Sequence, residues 1–306
     1  MLAPSLGAYP VFVLKVLCFA LFASAFNLLI GYVGLLSFGH AAFFGCAGYV
    51  SGLAWKSLGL TPELGLLAGI GTGALLGLVM GAIAIRRSGI YFSMITLALA
   101  QMLYFLCLQS PFTGGEDGLQ GVPRGKLFGL LPLGDDTTLY YVSVAILVAV
   151  FAMIARAIHS PFGQILKAIK ENEPRAVSLG YNVDRFKLVA FILSAALAGL
   201  AGSLKVLVLG FETLTDVHWS MSGLVVLMTL VGGLGTLFGP LVGAFVVIAL
   251  ENKLGEIGAW LASVTGMPWF NTLGESVSMV TGFIFVACVL CFRSGIVGTL
   301  QSRFRG

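Results

Sequence analysis

Charge is scarce in this chain. Only thirty of 306 residues are Asp, Glu, Lys or Arg, or 10%, where globular domains carry about 25%. With 58% hydrophobic residues and a mean hydropathy of +1.01, this deficit excludes a soluble single-core protein. A transmembrane barrel is excluded as well, because it would show short alternating segments in place of long apolar runs. Cysteine is also sparse. Cys18, Cys46, Cys107, Cys288 and Cys291 lie in apolar runs. Only the last two are close together, with no histidine nearby, so packed, reduced thiols are expected and no metal site. No segment reads G-x-x-x-x-G-K-[ST]. The nearest, GVPRGKL at 121–127, has the wrong glycine spacing and Leu127 where a hydroxyl must meet magnesium. ATP hydrolysis would have to come from another polypeptide. No charged leader with a small-residue cleavage site precedes the first apolar run, which is expected to stay in the membrane. The net charge of +4 offers no nucleic-acid face, since the basic residues sit at membrane edges.

What the chain has in quantity is glycine, 41 residues, and long apolar runs. Small residues let membrane helices approach closely. A span needs roughly 20 apolar residues. Candidate spans fall at about 9–30, 38–55, 63–85, 90–108, 138–158 and 188–209. Two more fall within 221–250, and a last one at about 275–292. The expected fold is an all-α polytopic membrane domain over 1–306, with about nine helices (eight to ten), some broken by Gly or Pro. Loops are expected at 109–137, 159–187 and 251–274.

Lys and Arg orient the spans. Arg86 and Arg87, five basic residues in 159–187, and the tail residues Arg293, Arg303 and Arg305 all fall on one side, which is then cytoplasmic. The loops on the other side carry Glu116, Asp117, Asp135, Asp136, Glu212, Asp216 and Glu256. Deep span interiors hold almost no acidic residue, which disfavours a proton- or sodium-coupled carrier. Lys15 and Lys205 lie near predicted span ends, where a lysine can snorkel.

Two glycine-rich interruptions look alike: GYVGLLSFG with Gly31, Gly34 and Gly39, and VGGLGTLFG with Gly232, Gly235 and Gly239, followed by Pro240. Broken segments at corresponding points of two halves point to a transport pathway, although small residues also serve simple close packing. Polar residues inside spans are costly unless partnered. Asn27, Ser37, His40, Thr96 and Gln101 are therefore pathway candidates, with interhelical bonding as the plainer role for each. Ser37 and His40 are the right types for a nucleophile and its base. No G-x-S-G motif surrounds them, and a helical i, i+3 pair seldom aligns for attack, so an intramembrane enzyme is disfavoured.

The charge that exists is concentrated. Residues 159–187, HSPFGQILKAIKENEPRAVSLGYNVDRFK, hold eight of the thirty charged side chains. Phe162, Ile165, Leu166 and Ile169 recur at helical spacing, with Pro161 at the start. Pro174 interrupts, a short helix follows at about 174–179, and Gly180 suits its C-terminal cap. Arg175, Ala176, Val177 and Ser178 are expected to form its outward surface. Two polar helices between membrane spans read as a docking surface. A passive channel would leave them unexplained.

ENEPRAVSLGYNVDRFKLVAFILSAALAGLAGSL, NLLIGYVGLLSFGHAAFFGCAGYV at 27–50, TGGEDGLQGVP at 113–123 and SMSGLVVLMTLVGGLGTLFGPLVGA at 220–244 carry a resemblance over nearly the whole chain. It resembles the permease subunits of branched-chain amino acid ABC importers, of the M type. The resemblance implies a multi-pass subunit of the bacterial cytoplasmic (inner) membrane. It would form the pathway for branched-chain amino acids with a second permease chain. Two cytoplasmic ATPase subunits would hold ATP and Mg2+, and this chain would bind no cofactor. A substrate-binding protein would deliver the ligand from outside. Importers of urea, short amides or other amino acids share these motifs. The resemblance makes 159–187 a cytoplasmic coupling segment, with the C-terminus on the same side. Lys170, Glu171, Glu173, Pro174, Arg175, Ala176, Val177, Ser178 and Gly180 would meet the ATPase. The general signature E-A-A-x-x-x-G is kept at Ala176 and Gly180, but Pro174 stands where its glutamate falls, with Glu173 one place earlier. Gly115, Glu116, Asp117, Glu212 and Asp216 would receive the binding protein.

Overall fold

The computed structural model of the chain describes residues 10–129, 131–265, 282–283, 286 and 295–299. Ten helices follow one another among them: α1 Pro10–Tyr32, α2 His40–Lys56, α3 Pro62–Ala84, α4 Ile90–Gln109, α5 Asp136–His159, α6 Pro161–Glu171, α7 Glu173–Ser178, α8 Val183–Leu209, α9 Trp219–Gly232 and α10 Gly239–Thr265. Two short antiparallel pairings complete the described chain. β1 Leu119–Gln120 lies beside β4 Phe211–Glu212, and β2 Lys126–Leu127 beside β3 Leu131–Pro132. Among the described residues, five helices, α1, α3, α4, α5 and α8, are long and apolar enough to cross a membrane. The chain is an all-α polytopic membrane protein.

The first eight expected spans correspond to α1–α5 and α8–α10. One expectation needs correction: α10 runs to Thr265, so the first part of the stretch expected as a loop at 251–274 is helical. Most of the expected last span and the basic tail lie outside the described residues.

The helices do not share burial equally. In α1 and α8, 78% and 72% of the most apolar window is buried, against 33%, 28% and 28% for α3, α4 and α5. Glycine explains how α8 reaches the centre. Gly69, Gly73 and Gly77 form an i, i+4, i+8 row on α3. A methyl group at Gly77 would sit 2.5 Å from the Ala195 Cβ of α8, and one at Gly69 would sit 2.6 Å from Ser51 Oγ of α2. Gly199 of α8 lies opposite Gly73. In lipid, where burying apolar surface gains little, such close approach is what binds helices. Ser51 and Ser203 hydroxyls, 2.6 Å apart, add a hydrogen bond between α2 and α8.

Candidate functional site

The charged loop folds into a compact knuckle of α6, α7 and the start of α8. Each helix is capped by the residue before it: Ser160 accepts from Gly163 N, Asn172 from Arg175 N and Asn182 from Arg185 N. Each cap satisfies a helix-end N–H that has no partner in its own helix. Pro161 and Pro174 occupy first-turn positions, where a missing N–H costs nothing. After α7 the chain turns at Gly180, with φ +86°. Gly180 N donates to Val177 O at 2.9 Å and Tyr181 N to Ala176 O at 3.2 Å, the paired bonds of a Schellman end. The knuckle has its own small core of Ile169, Ala176 and Val183, with Ile165 and Phe186 packed against it. Phe162 stacks on Phe186 at 5.9 Å.

This core corrects one sequence expectation. Ala176 is 2% exposed and faces inward, so it is not part of an outward surface. Two other predicted residues also reach toward the membrane body. Lys170 Nζ donates to Gly31 O at the end of α1, at 2.6 Å. Glu173 Oε1 accepts from Lys187 Nζ of α8 at 2.6 Å. The outward face holds Glu171, Pro174, Arg175, Val177 and Ser178. Leu179 and Tyr181, which the sequence reading passed over, join them. Val177 is 56% and Leu179 68% exposed.

The acceptor of Lys170 lies at a junction. The two look-alike interruptions, 200 residues apart in sequence, meet here. Asn27 of α1 clamps the second one, accepting from Gly235 N at 3.0 Å and donating to Thr236 O at 2.9 Å. A Cβ on Gly31 would come 2.8 Å from Gly235 N, so this contact needs glycine. The knuckle, the end of α1 and the break between α9 and α10 therefore converge on one point.

Residues 33–39 leave the helical path between α1 and α2. Non-helical backbone inside a membrane protein needs partners within the protein. Serine and threonine side chains supply them. Ser93 donates to Leu36 O at 2.6 Å, Thr96 accepts from Phe38 N at 3.2 Å, and Ser37 accepts from Gly39 N at 3.1 Å. Ser222 donates to Phe38 O at 2.8 Å and accepts from Ala41 N at 2.9 Å. His40 opens α2, fully buried among Phe26, Phe43 and Phe191. Its Nε2 lies 2.8 Å from Ser194 Oγ, and that hydroxyl donates to Ala25 O at 2.6 Å. With its one proton so used, Ser194 accepts, and His40 carries its hydrogen on Nε2. His40 Nδ1 is buried, with no hydrogen-bond partner among the described residues. The structure thus gathers Ser37, His40 and Thr96 at the break, with Asn27 at the junction, and leaves Gln101 half-buried on α4. Ser93, Ser194 and Ser222 were missed. Isolated serines in apolar spans give no signal until the backbone they serve is known.

At the opposite end of the bundle, Gly115, Glu116 and Asp117 form a 3-10 turn, with both acids exposed. The β1–β4 pairing straps this loop to the segment after α8, with Leu119 opposite Glu212. Glu212 and Asp216 do not face outward as expected. They are 0% and 4% exposed and enclose Lys205, which bonds Glu212 Oε2 at 3.1 Å and Asp216 Oδ2. Lys205, expected to snorkel, is 3% exposed. Burial pushes the Glu212 carboxyl well above the usual carboxylate range; Lys205 pulls against this and Asp216 adds to it. Lys15 also finds an acid, Glu251 of α10, at 3.9 Å. Among the described residues, no group of three or more His, Cys, Asp or Glu side chains is placed to hold a metal ion.

Residues 11–292 match the family model described as branched-chain amino acid transport system / permease component. The high-affinity branched-chain amino acid transport system permease protein LivM of Escherichia coli is 28% identical over 268 residues, covering 78% of this chain and 62% of that protein. A probable branched-chain amino acid transport permease protein LivH of Methanocaldococcus jannaschii is 26% identical, over 82% of this chain and 79% of that one. The autoinducer 2 import system permease protein LsrC of Yersinia pseudotuberculosis is 25% identical, over 68% and 60%. The chain spans about three-fifths of the length of the LivM proteins of Escherichia coli and Salmonella typhimurium.

Proposed function

The chain belongs to the family of branched-chain amino acid transport system permease components, and from that premise we propose that it is one of two membrane permease chains of an ATP-driven importer. Its cargo is a branched-chain amino acid. Two separate ATPase subunits hold ATP and Mg2+ and drive the cycle, and a substrate-binding protein delivers the cargo on the other face. The end bearing 159–187 is cytoplasmic. Arg86 of the α3–α4 connection and Arg185 line one groove, so the basic residues cluster at that end, in keeping with the positive-inside rule.

The observation that carries this reading is the knuckle's division of labour. One side is tied to α1 and α8 through Lys170 and Glu173. The other presents Arg175, Val177, Leu179 and Tyr181. Apolar side chains at the tip of a charged loop suit insertion into a cleft of the ATPase. Motion received there has a direct route into the broken-helix junction. That junction, clamped by Asn27 and Gly235, is the moving part of the pathway.

Reconstitution with both ATPases, the second permease and the binding protein tests the proposal. ATP hydrolysis is expected to rise with leucine-loaded binding protein, and uptake to require ATP. Hydrolysis that ignores the binding protein, with uptake persisting without ATP, would instead mark a secondary carrier or channel. The relatives also include a permease named for autoinducer 2 import. A thermal-shift comparison of the binding protein with leucine, isoleucine, valine, urea and acetamide decides the cargo.

A further inference from the structure

α8 is anchored near each end by a buried lysine. Lys187 is 4% exposed and pairs with Glu173 of α7 at 2.6 Å. Lys205 is 3% exposed and pairs with Glu212 and Asp216. The two lysines are eighteen residues apart on one uninterrupted helix, about 27 Å at 1.5 Å per residue. Among the described residues, neither forms an ion pair with a neighbouring span. Glu173 belongs to the knuckle. Glu212 and Asp216 belong to the segment that β1–β4 pairing ties to the Glu116 and Asp117 loop. So the same helix holds one loop at each face of the membrane.

Two further facts bear on what such a helix can do. The chain breaks at 33–39 and again at 233–238, while α8 between these interruptions has no break. Its middle is locked to its neighbours: Gly199 faces Gly73 of α3, and Gly202 faces the Phe44 backbone of α2. A helix packed this way moves together with α2 and α3 as one body. A buried lysine also holds its acid more firmly than an exposed one, because releasing the acid strands a charge out of water.

We propose that α8 is the strut that carries the binding protein's arrival to the ATPase contact, with Lys187 and Lys205 as the positioning residues that fasten its two ends. This rests on the importer reading above. Displacement of the outer loop pulls on Lys205, shifts α8, and moves α7 through Lys187 and Glu173. The coupling must act in both directions. ATP binding would therefore alter the outer loop by the same route.

The test uses the assembled importer in liposomes. Wild type must first show ATP-dependent uptake stimulated by leucine-loaded binding protein; failure there sinks the importer reading, not the strut. Lys187→Met is expected to assemble and hydrolyse ATP but to lose about tenfold of the stimulation, with uptake per ATP falling in step. The swapped pair, Glu173→Lys with Lys187→Glu, is expected to recover most of it. Hydrogen exchange reads transmission directly. In wild type, loaded binding protein changes protection at residues 173–181, and in Lys205→Met it does not. If Lys205→Met fails to assemble, the triple variant Lys205→Met with Glu212→Gln and Asp216→Asn, which removes the ion pairs without stranding a buried charge, replaces it. Full stimulation in Lys187→Met, or an unchanged exchange response in the outer variant, overturns the proposal.

Discussion

At the end of the bundle that carries α6 and α7, most charge stays at the surface, while Lys167, Lys170, Glu173 and Lys187 reach inward. At the opposite end, Lys205, Glu212 and Asp216 are drawn into the core together. Both ends bristle with charge in the sequence. The difference lies in what the backbone does next. After α7 a Gly180 turn sends the chain straight back into α8, so the polar face of the knuckle stays in water. After α8 a Gly210 turn, with φ +76°, folds the chain over the helix end, and its acids land on a lysine about one turn inside. One end is built to be met and the other to be held.

Breaking the held end should cost most. Lys205→Met leaves two carboxylates buried without their cation, and a loss of about 3–5 kcal/mol is expected, read as a fall in the melting temperature of the detergent-purified complex. Adding Glu212→Gln and Asp216→Asn should restore most of it, since neutral amides are far cheaper to bury than lone charges. Next comes the junction. Asn27→Leu leaves Gly235 N–H and Thr236 C=O without their partner, at about 1–3 kcal/mol. It should lower transport more than Thr72→Ala, which removes only a bond within α3; uptake assays in liposomes compare the two. At the met end, Val177→Asp and Leu179→Asp should move stability by no more than about 0.5 kcal/mol. Capture of the ATPase by the immobilised permease should nonetheless fall at least about tenfold. Equal capture by these variants would erase the contrast between the two ends. The smallest effect belongs to Glu116→Gln with Asp117→Asn. These exposed acids should alter binding-protein affinity a few-fold, and only at low salt.

Much of this architecture was legible in the sequence because it rests on local rules. Pro161, Pro174 and Gly180 marked the knuckle, and the Phe162–Ile169 spacing gave its buried stripe. The paired glycine motifs pointed to two breaks. That the breaks touch through Asn27 is tertiary, and no spacing rule reaches across two hundred residues. Ala176 looked like surface because its neighbours Arg175, Val177 and Ser178 are exposed; its burial comes from Ile169 and Val183, which lie on other helices. Lys205 sat near a helix end, where snorkelling is the default, and only the returning chain at 211–216 supplies the acids that hold it. The end of α10 was placed too early, because an amphipathic continuation of an apolar helix reads like a loop.

The Lys170–Gly31 contact has one partner that belongs to the backbone. A carbonyl cannot be mutated away, and its position here needs only that residue 31 stay small enough to lie against Gly235. Evolution can therefore tune this contact from one side alone. Residue 170 can drift between long cations, while residue 31 stays still. Correlated changes between the two positions would not arise, so the joint between knuckle and junction would leave no covariation trace in any set of homologues.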